Sequence, residues 1–210
     1  MQSIVRREPL HTLRSRTLVL AADNVDTDQI IPARFLTVTT RDGLGTKLFA
    51  DWRYDAQGGP RPDSPLDQPG AAGARILIAG RNFGCGSSRE HAVWALQDFG
   101  FAAVLARSLA DIFRRNALQN GLLAVEVDAA AHARLLAEPG GEVTLDLAAQ
   151  TLTLGGGAPA AFAIDSFARH CLLSGLDELE FLLGQEAAIA AFEAERRGAG
   201  DPAAGPAAER

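Results

Sequence analysis

RILIAGRNFGCGSSREHAVWALQDFGFAAVLA, residues 75–106, is the stretch from which the fold can be read. It opens with RILIAG (75–80), an apolar run of strand length. Over 88–99 the residues Ala92, Ala95, Leu96 and Phe99 recur at helical spacing. FAAVLA (101–106) is a second run of strand length. The order is therefore strand, loop, helix, strand. The loop gathers Gly84, Gly86, Ser87, Ser88 and Arg89 where a buried strand ends.

The alternation continues on both sides. TLVLA (17–21) is a strand running into DNVDTDQ (23–29) and then IIPARFL (30–36). Asn24, Asp26, Thr27 and Asp28 suit a tight acidic loop, because their side chains bond nearby backbone. Pro32 biases Ile31 away from helix. Residues 55–74, with four prolines and four glycines, suggest a long surface loop or an extended crossing segment. Further on, SLADIFRRNALQNG (108–121) is a helix started by Ser108 and Asp111 and stopped by Asn120-Gly121. LLAVEV (122–127) is a strand, and residues 128–141 hold a helix closed by Pro139-Gly140. EVTLDL (142–147) and QTLTL (150–154) alternate apolar with polar, as a hairpin does. AAFAI (160–164) is a short strand; FARHCLLSG (167–175) and EAAIAAFEAERR (186–197) are helices. Residues 198–210 lack apolar periodicity and are expected to form a disordered tail. The expectation is one α/β domain over 1–197, with a layered core, hairpin strands near both ends and no internal repeat.

Composition narrows the function classes. The 210 residues are 47% hydrophobic and 22% charged, with a net charge of -6, which suits a soluble domain and gives no basic footprint for nucleic acid. No apolar run approaches the ~18 residues of a membrane span. MQSIVRREPLHTL at the start is charged and broken by Pro9, so a cytoplasmic protein is expected. Cys85 and Cys171 stand far apart with no C-x-x-C pattern, too few thiolates for an iron–sulfur cluster on this chain and no metal site.

The loop fails three generic motifs. The dinucleotide fingerprint G-x-G-x-x-G puts Arg89 where its third glycine belongs, and the phosphate loop puts Cys85 at its second glycine. The nucleophile elbow fails because Gly86 directly precedes Ser87. Physical chemistry says more. Ser87 and Glu90 form S-x-x-E, so a capping box is expected and a helix just after Ser87. Helix N-termini attract anions, and Gly84 and Gly86 let backbone approach a ligand. Arg89 in the first turn opposes the helix dipole unless an anion is bound, and its planar fork suits a carboxylate or phosphate. The plainer alternative leaves Ser87 as a cap worth ~1 kcal/mol, Cys85 as a small hydrophobe, His91 as packing and Trp94 as core.

Four ordered blocks carry a resemblance: DNVDTDQIIPARFL (23–36), GRNFGCGSSREHAVWALQDFGF (80–101), SLADIFRRNALQNGLLAV (108–125) and IDSFARHCLLSGLDELEFLL (164–183). Together they resemble the small-subunit family of 3-isopropylmalate dehydratase, which belongs with aconitase. The resemblance covers roughly residues 1 to 195. It implies the swivelling β/β/α domain that is aconitase's mobile fourth domain, and a separate large subunit carrying a [4Fe-4S] cluster whose iron acts on the leaving hydroxyl. It implies interconversion of 2-isopropylmalate and 3-isopropylmalate through 2-isopropylmaleate, in leucine biosynthesis. By this resemblance Ser87 is the serine base, Ser88 its hydrogen-bonding neighbour, Arg89 the carboxylate-binding arginine and Asp28 a catalytic, active-site acid on the facing loop. Ser88, Gly86, Thr27 and Arg34 are expected to bind substrate, with 30–36 near its variable side group. Cys85 stands where aconitase has an acidic residue, a departure the isopropylmalate branch tolerates.

Two alternatives stay open at this level. The same mechanism could serve citraconate, dimethylmaleate or a homoaconitate-like acid. A non-catalytic anion-binding module would bind nucleotide alone and have no need of Asp28. The loop also carries an internal conflict: a Ser87 oxygen spent on the Glu90 N–H is a poor base, and Ser88 then competes for the role.

Overall fold

The computed structural model describes residues 7–37, 40–68 and 71–198. Its first strand, β1 (Thr12–Leu20), alternates exposed and buried residues over its first half and is almost wholly buried over its second. The change of pattern marks a change of partner. Thr12 to Arg16 pair antiparallel with Asp146 to Glu142, and Thr17 to Leu20 pair parallel with Ile76 to Ala79.

The other strands are β2 (Ile76–Ala79), β3 (Ala103–Ala106), β4 (Leu123–Glu126), β5 (Glu142–Asp146), β6 (Thr151–Leu154) and β7 (Ala160–Ala161). They form one sheet in the order β4-β3-β2-β1-β5-β6-β7. On one side of β1 the strands are parallel, and on the other antiparallel. β2 and β3 are buried at every position, as expected of parallel strands covered on both faces.

The helices are α1 (Thr27–Ile30), α2 (Ala50–Arg53), α3 (Glu90–Phe99), α4 (Asp111–Gln119), α5 (Ala129–Ala137), α6 (Ser166–Ser174), α7 (Glu178–Gly184) and α8 (Glu186–Gly198). Successive strand residues point to opposite faces, so the sheet divides two cores. Leu77, Ala79, Val104 and Ala106 join Ala92, Leu96 and Phe113 of α3 and α4. Ile76, Ile78, Ala103 and Leu105 join Ala131, Leu135 and Leu172 of α5 and α6. This is the layered α/β architecture expected. Among the described residues no helix is long and apolar enough to cross a membrane.

Several local expectations are corrected. The hairpin expected near the N-terminus is absent, because β1 takes both of its partners from far along the chain. AAFAI is strand only at Ala160–Ala161. LDELEFLL contains a separate helix, α7, started by a capping box between Asp177 and Glu180. Residues 55–68 do run as a mostly exposed loop, held at Asp67 by Arg53, whose buried guanidinium bonds it (Nη2 to Oδ1 2.6 Å) and the carbonyls of Gly45 and Leu48. The expected tail lies, past Gly198, outside the described residues.

Candidate active site

Leaving β2, the chain runs from Gly80 to Arg89 between the exits of β1 and β3, and its backbone is held almost residue by residue. The Gly80 carbonyl accepts from Arg107 N–H (3.2 Å), and Arg81 N–H donates to the Asp23 carboxylate (2.6 Å). The Arg81 carbonyl accepts from Asn24 N–H (2.7 Å). Asn82 N–H donates to the Ser108 hydroxyl (2.8 Å) and Phe83 N–H to the Ser108 carbonyl (3.2 Å). Gly84 N–H reaches the Val25 carbonyl (2.7 Å), and the Cys85 carbonyl accepts from Thr27 N–H (2.9 Å). Ser108 therefore fastens this loop. It does not cap α4, whose N-cap is Ala110 with no side-chain bond.

Gly84 sits at φ +78°, and a Cβ there would land inside the Phe113 side chain of α4. Phe113 meets the Phe83 ring edge-on at 5.3 Å between centroids, so neither ring can yield cheaply. Gly84→Ala is expected to lower stability by about 2–4 kcal/mol, from backbone strain plus overpacking. Gly86 has φ +92° but its nearest neighbour, Thr27 Oγ1, would lie at an ordinary 3.4 Å. Gly86→Ala should then cost only the strain, about 1–2 kcal/mol. Thermal unfolding of the two variants checks the order; equal losses would refute the role given to Phe113.

The capping box expected between Ser87 and Glu90 does not form. The helix α3 begins at Glu90, and its N-cap is Arg89, in extended backbone (φ -139°, ψ 108°) with no side-chain cap bond. Arg89 thus precedes the first turn and does not lie within it. The cause is tertiary. Gly86 turns the chain at positive φ, and the Ser87 carbonyl is drawn to the Thr27 hydroxyl, which donates to it at 3.0 Å. Ser87 and Ser88 stay in the loop, both exposed. Neither hydroxyl has a hydrogen-bond partner among the described residues.

The facing loop is built as locally. Asp26 accepts from Gln29 N–H (2.7 Å) while the Gln29 side chain accepts from Asp26 N–H (2.8 Å), a reciprocal box that starts α1. That one-turn helix presents Asp28, whose Oδ1 accepts from Arg89 Nη1. The Arg89 side chain is only 17% exposed and that of Asp28 53%, so the pair closes the loop from its solvent side. The Arg89 hydrogen bond holds the Asp28 carboxyl below the usual carboxylate range, against a smaller opposing effect of desolvation. A depressed carboxylate pKa stabilises the fold above the unfolded-state value and is lost as pH falls through the folded value. The stability advantage of the wild type over Asp28→Asn should therefore be present at neutral pH and close below pH ~4. Thermal unfolding across that range checks it; an advantage that widens on acidification would refute the pairing. The gap should be small, because the pair is partly solvent-screened.

Thr27, Asp28, Gly86, Ser87 and Arg89 are thus brought together, and Ser88 is next to them in the chain. Arg34 is turned elsewhere: it lies in a short 3-10 turn, Ala33–Phe35, and makes a bidentate pair with Asp51. Cys85 is half-buried, with its Sγ 3.5 Å from the Asn24 carbonyl, and Cys171 is buried in α6. Among the described residues no three His, Cys, Asp or Glu side chains converge as metal ligands. Sequence reasoning placed Asn24 in the acidic loop and Ser108 at a helix start, and read neither, nor Asp23, as a fastener of the serine loop. Their only signal was their residue type at the strand exits.

The Aconitase C-terminal domain family matches residues 8–130, and the LeuD_N family matches residues 133–166. The chain is 62% identical over 190 residues to the 3-isopropylmalate dehydratase small subunit of Anaeromyxobacter sp. (strain K), spanning 90% of this chain and 100% of that one. It is 59% identical over 191 residues to the protein of the same name from Chloroflexus aurantiacus, spanning 89% of this chain and 95% of that one. A crystal structure of 3-isopropylmalate dehydratase from Methanocaldococcus jannaschii superposes with a TM-score of 0.65 at 27% identity, covering 86% of this chain and 99% of that one.

Proposed function

The chain belongs to the 3-isopropylmalate dehydratase small-subunit family within the Aconitase C-terminal domain family, and from that premise we propose that, with a large subunit, it interconverts 2-isopropylmalate and 3-isopropylmalate by loss and return of water. One observation carries the site assignment: an uncommitted Ser87 hydroxyl stands just before Arg89 and the N-terminus of α3, which no side chain caps.

The chemistry asked of this chain is proton transfer and charge stabilisation. In the dehydration direction, a C–H bond beside a carboxylate breaks and its proton passes to Ser87 Oγ. The electron pair forms the C=C bond, and the hydroxyl of the neighbouring carbon leaves as hydroxide, which becomes water on taking a proton from an acid that the large subunit would supply. Rehydration reverses these steps with the hydroxyl on the other carbon. A serine oxygen accepts a proton only as an alkoxide, so its surroundings must favour negative charge. The positive end of the α3 dipole and the Arg89 guanidinium both do. Arg89 offers five donors, and Asp28 engages Nη1, leaving others for a substrate carboxylate. Asp28, ionised by that contact, acts by fixing the direction of the fork.

The iron–sulfur cluster of this family is assigned to the large subunit, where it would supply a Lewis acid for the departing hydroxyl. The contribution of this chain is to bind, to orient and to move the proton. Within the stretch Ile30 to Leu36, Ile30 and Ile31 are wholly buried and Arg34 is paired with Asp51, which leaves Phe35 and Leu36 as the larger accessible apolar side chains for the substrate's variable group.

Co-expression with the large subunit from the same source, followed by an isopropylmalate assay, tests the reading. The complex should turn over isopropylmalate, and the isolated chain should not. Robust turnover by the isolated chain would refute the divided site. A kcat/KM for citraconate or dimethylmaleate above that for isopropylmalate would move the chain to a sister substrate.

A further inference from the structure

One buried titratable side chain has no part in the chemistry above. His132 lies on α5, 8% exposed, between the buried Ala131 and Leu135 on a face otherwise apolar. Its Nε2 is 2.7 Å from the carbonyl oxygen of Ala79, the last residue of β2 and the root of the serine loop. A carbonyl only accepts, so Nε2 carries the proton in this contact whatever the state of the other nitrogen.

The position of this bond sets it apart from the other fasteners. Asp23, Asn24, Val25 and Thr27 come from the exit of β1, and Arg107, Ser108 and Ala110 from the exit of β3. His132 comes from the opposite face of the sheet, the α5 side. The bonds from the strand exits make residues 80–85 one stiff unit. The His132 bond adds a hold at the root of that unit, from the α5 side.

We infer that His132 is a positioning residue for the serine loop, acting through the Ala79 carbonyl. The inference rests on the assignment of Ser87 as the proton-transfer residue. A shift of order 1 Å at a reacting group can lower a rate by up to about 100-fold with little change in binding, so the effect belongs in kcat.

The test uses the assembled two-subunit enzyme. His132→Leu keeps an apolar side chain and removes the donor, while His132→Gln places an amide N–H near the Nε2 position. His132→Leu should lower kcat by about 10-fold with KM changed less than about 2-fold, and His132→Gln should recover most of the loss. A rescue by glutamine at matched Tm would not follow from a packing role alone. Wild-type kcat in His132→Leu, or a glutamine variant no better than the leucine variant, would overturn the inference. Where the leucine variant does not assemble, His132→Asn, whose amide is too short to reach Ala79, replaces it with the same two outcomes. Ser87→Ala measured alongside keeps the two readings apart. Full activity in that variant overturns the serine assignment, whereas a wild-type kcat in the His132 variant overturns only the positioning role.

Discussion

Ser87→Ala, assembled with the large subunit, is expected to lose about 1,000-fold in kcat while KM for isopropylmalate stays within a few-fold, the size of effect that follows from removing a positioned proton acceptor. The fold gives this experiment a clean background. The Ser87 hydroxyl has no hydrogen-bond partner among the described residues and the side chain is exposed, so its removal should leave Tm unchanged. The tie from this residue to the facing loop is made by its backbone carbonyl, which alanine keeps. A loss of rate therefore cannot be charged to a loosened loop. Ser88→Ala is the internal control. Its hydroxyl is equally unpartnered, and as a neighbour that only hydrogen-bonds it should cost about 10-fold or less. If the two results were exchanged, with Ser88→Ala inactive and Ser87→Ala near normal, the proton would belong to Ser88. The capping bond that would have made Ser87 a poor base is not formed, since α3 starts at Glu90 with no side-chain cap. That removes the main physical objection to Ser87.

The sequence carried some of this architecture openly and concealed the rest for identifiable reasons. The run from Ile76 to Ala106 was legible because parallel strands covered on both faces are written as continuous apolar stretches, and α3 between them repeats at helical spacing. The double partnership of β1 was not legible. Thr12 to Arg16 meet residues 142–146, and no local pattern specifies a pairing at that separation. At the loop, a correct local rule lost to a tertiary contact. S-x-x-E is present at Ser87 and Glu90, but the Thr27 hydroxyl, 60 residues away in sequence, takes the Ser87 carbonyl and holds the residue out of the helix. Two capping boxes that do form, at Asp26 with Gln29 and Asp177 with Glu180, carry the same kind of signal and went unread. Arg89 was singled out by its own chemistry, and Asp28 took a site role only through the family resemblance. Their meeting across 61 residues is visible only in the fold.

That meeting leads to the second large effect. Arg89→Lys keeps a positive charge and is expected to lower kcat/KM by about 100-fold, because a point-like ammonium cannot reproduce the planar fork. Both constants should move. The carboxylate is bound in the ground state, which raises KM when the fork is lost. It also takes on further negative charge as the neighbouring carbon gives up its proton, which lowers kcat. Asp28→Asn should be milder, about 10-fold, since it loosens the direction of Arg89 without removing the guanidinium. The decisive measurement is the double variant. If Asp28 works only through Arg89, then once lysine stands at 89 there is no fork left to orient, and Asp28→Asn should add little. The two losses would then fall well short of multiplying, as expected for residues in direct contact. Multiplying losses would mean that Asp28 touches the substrate or the large subunit in its own right. The pH profile separates the same alternatives. Arg89 holds the Asp28 carboxyl below the ordinary range, so an Asp28 that only orients the arginine stays ionised at neutral pH and leaves no limb of its own there. A limb near neutrality that disappears in Asp28→Asn would make Asp28 a proton-transfer group and overturn its assignment as the support of Arg89.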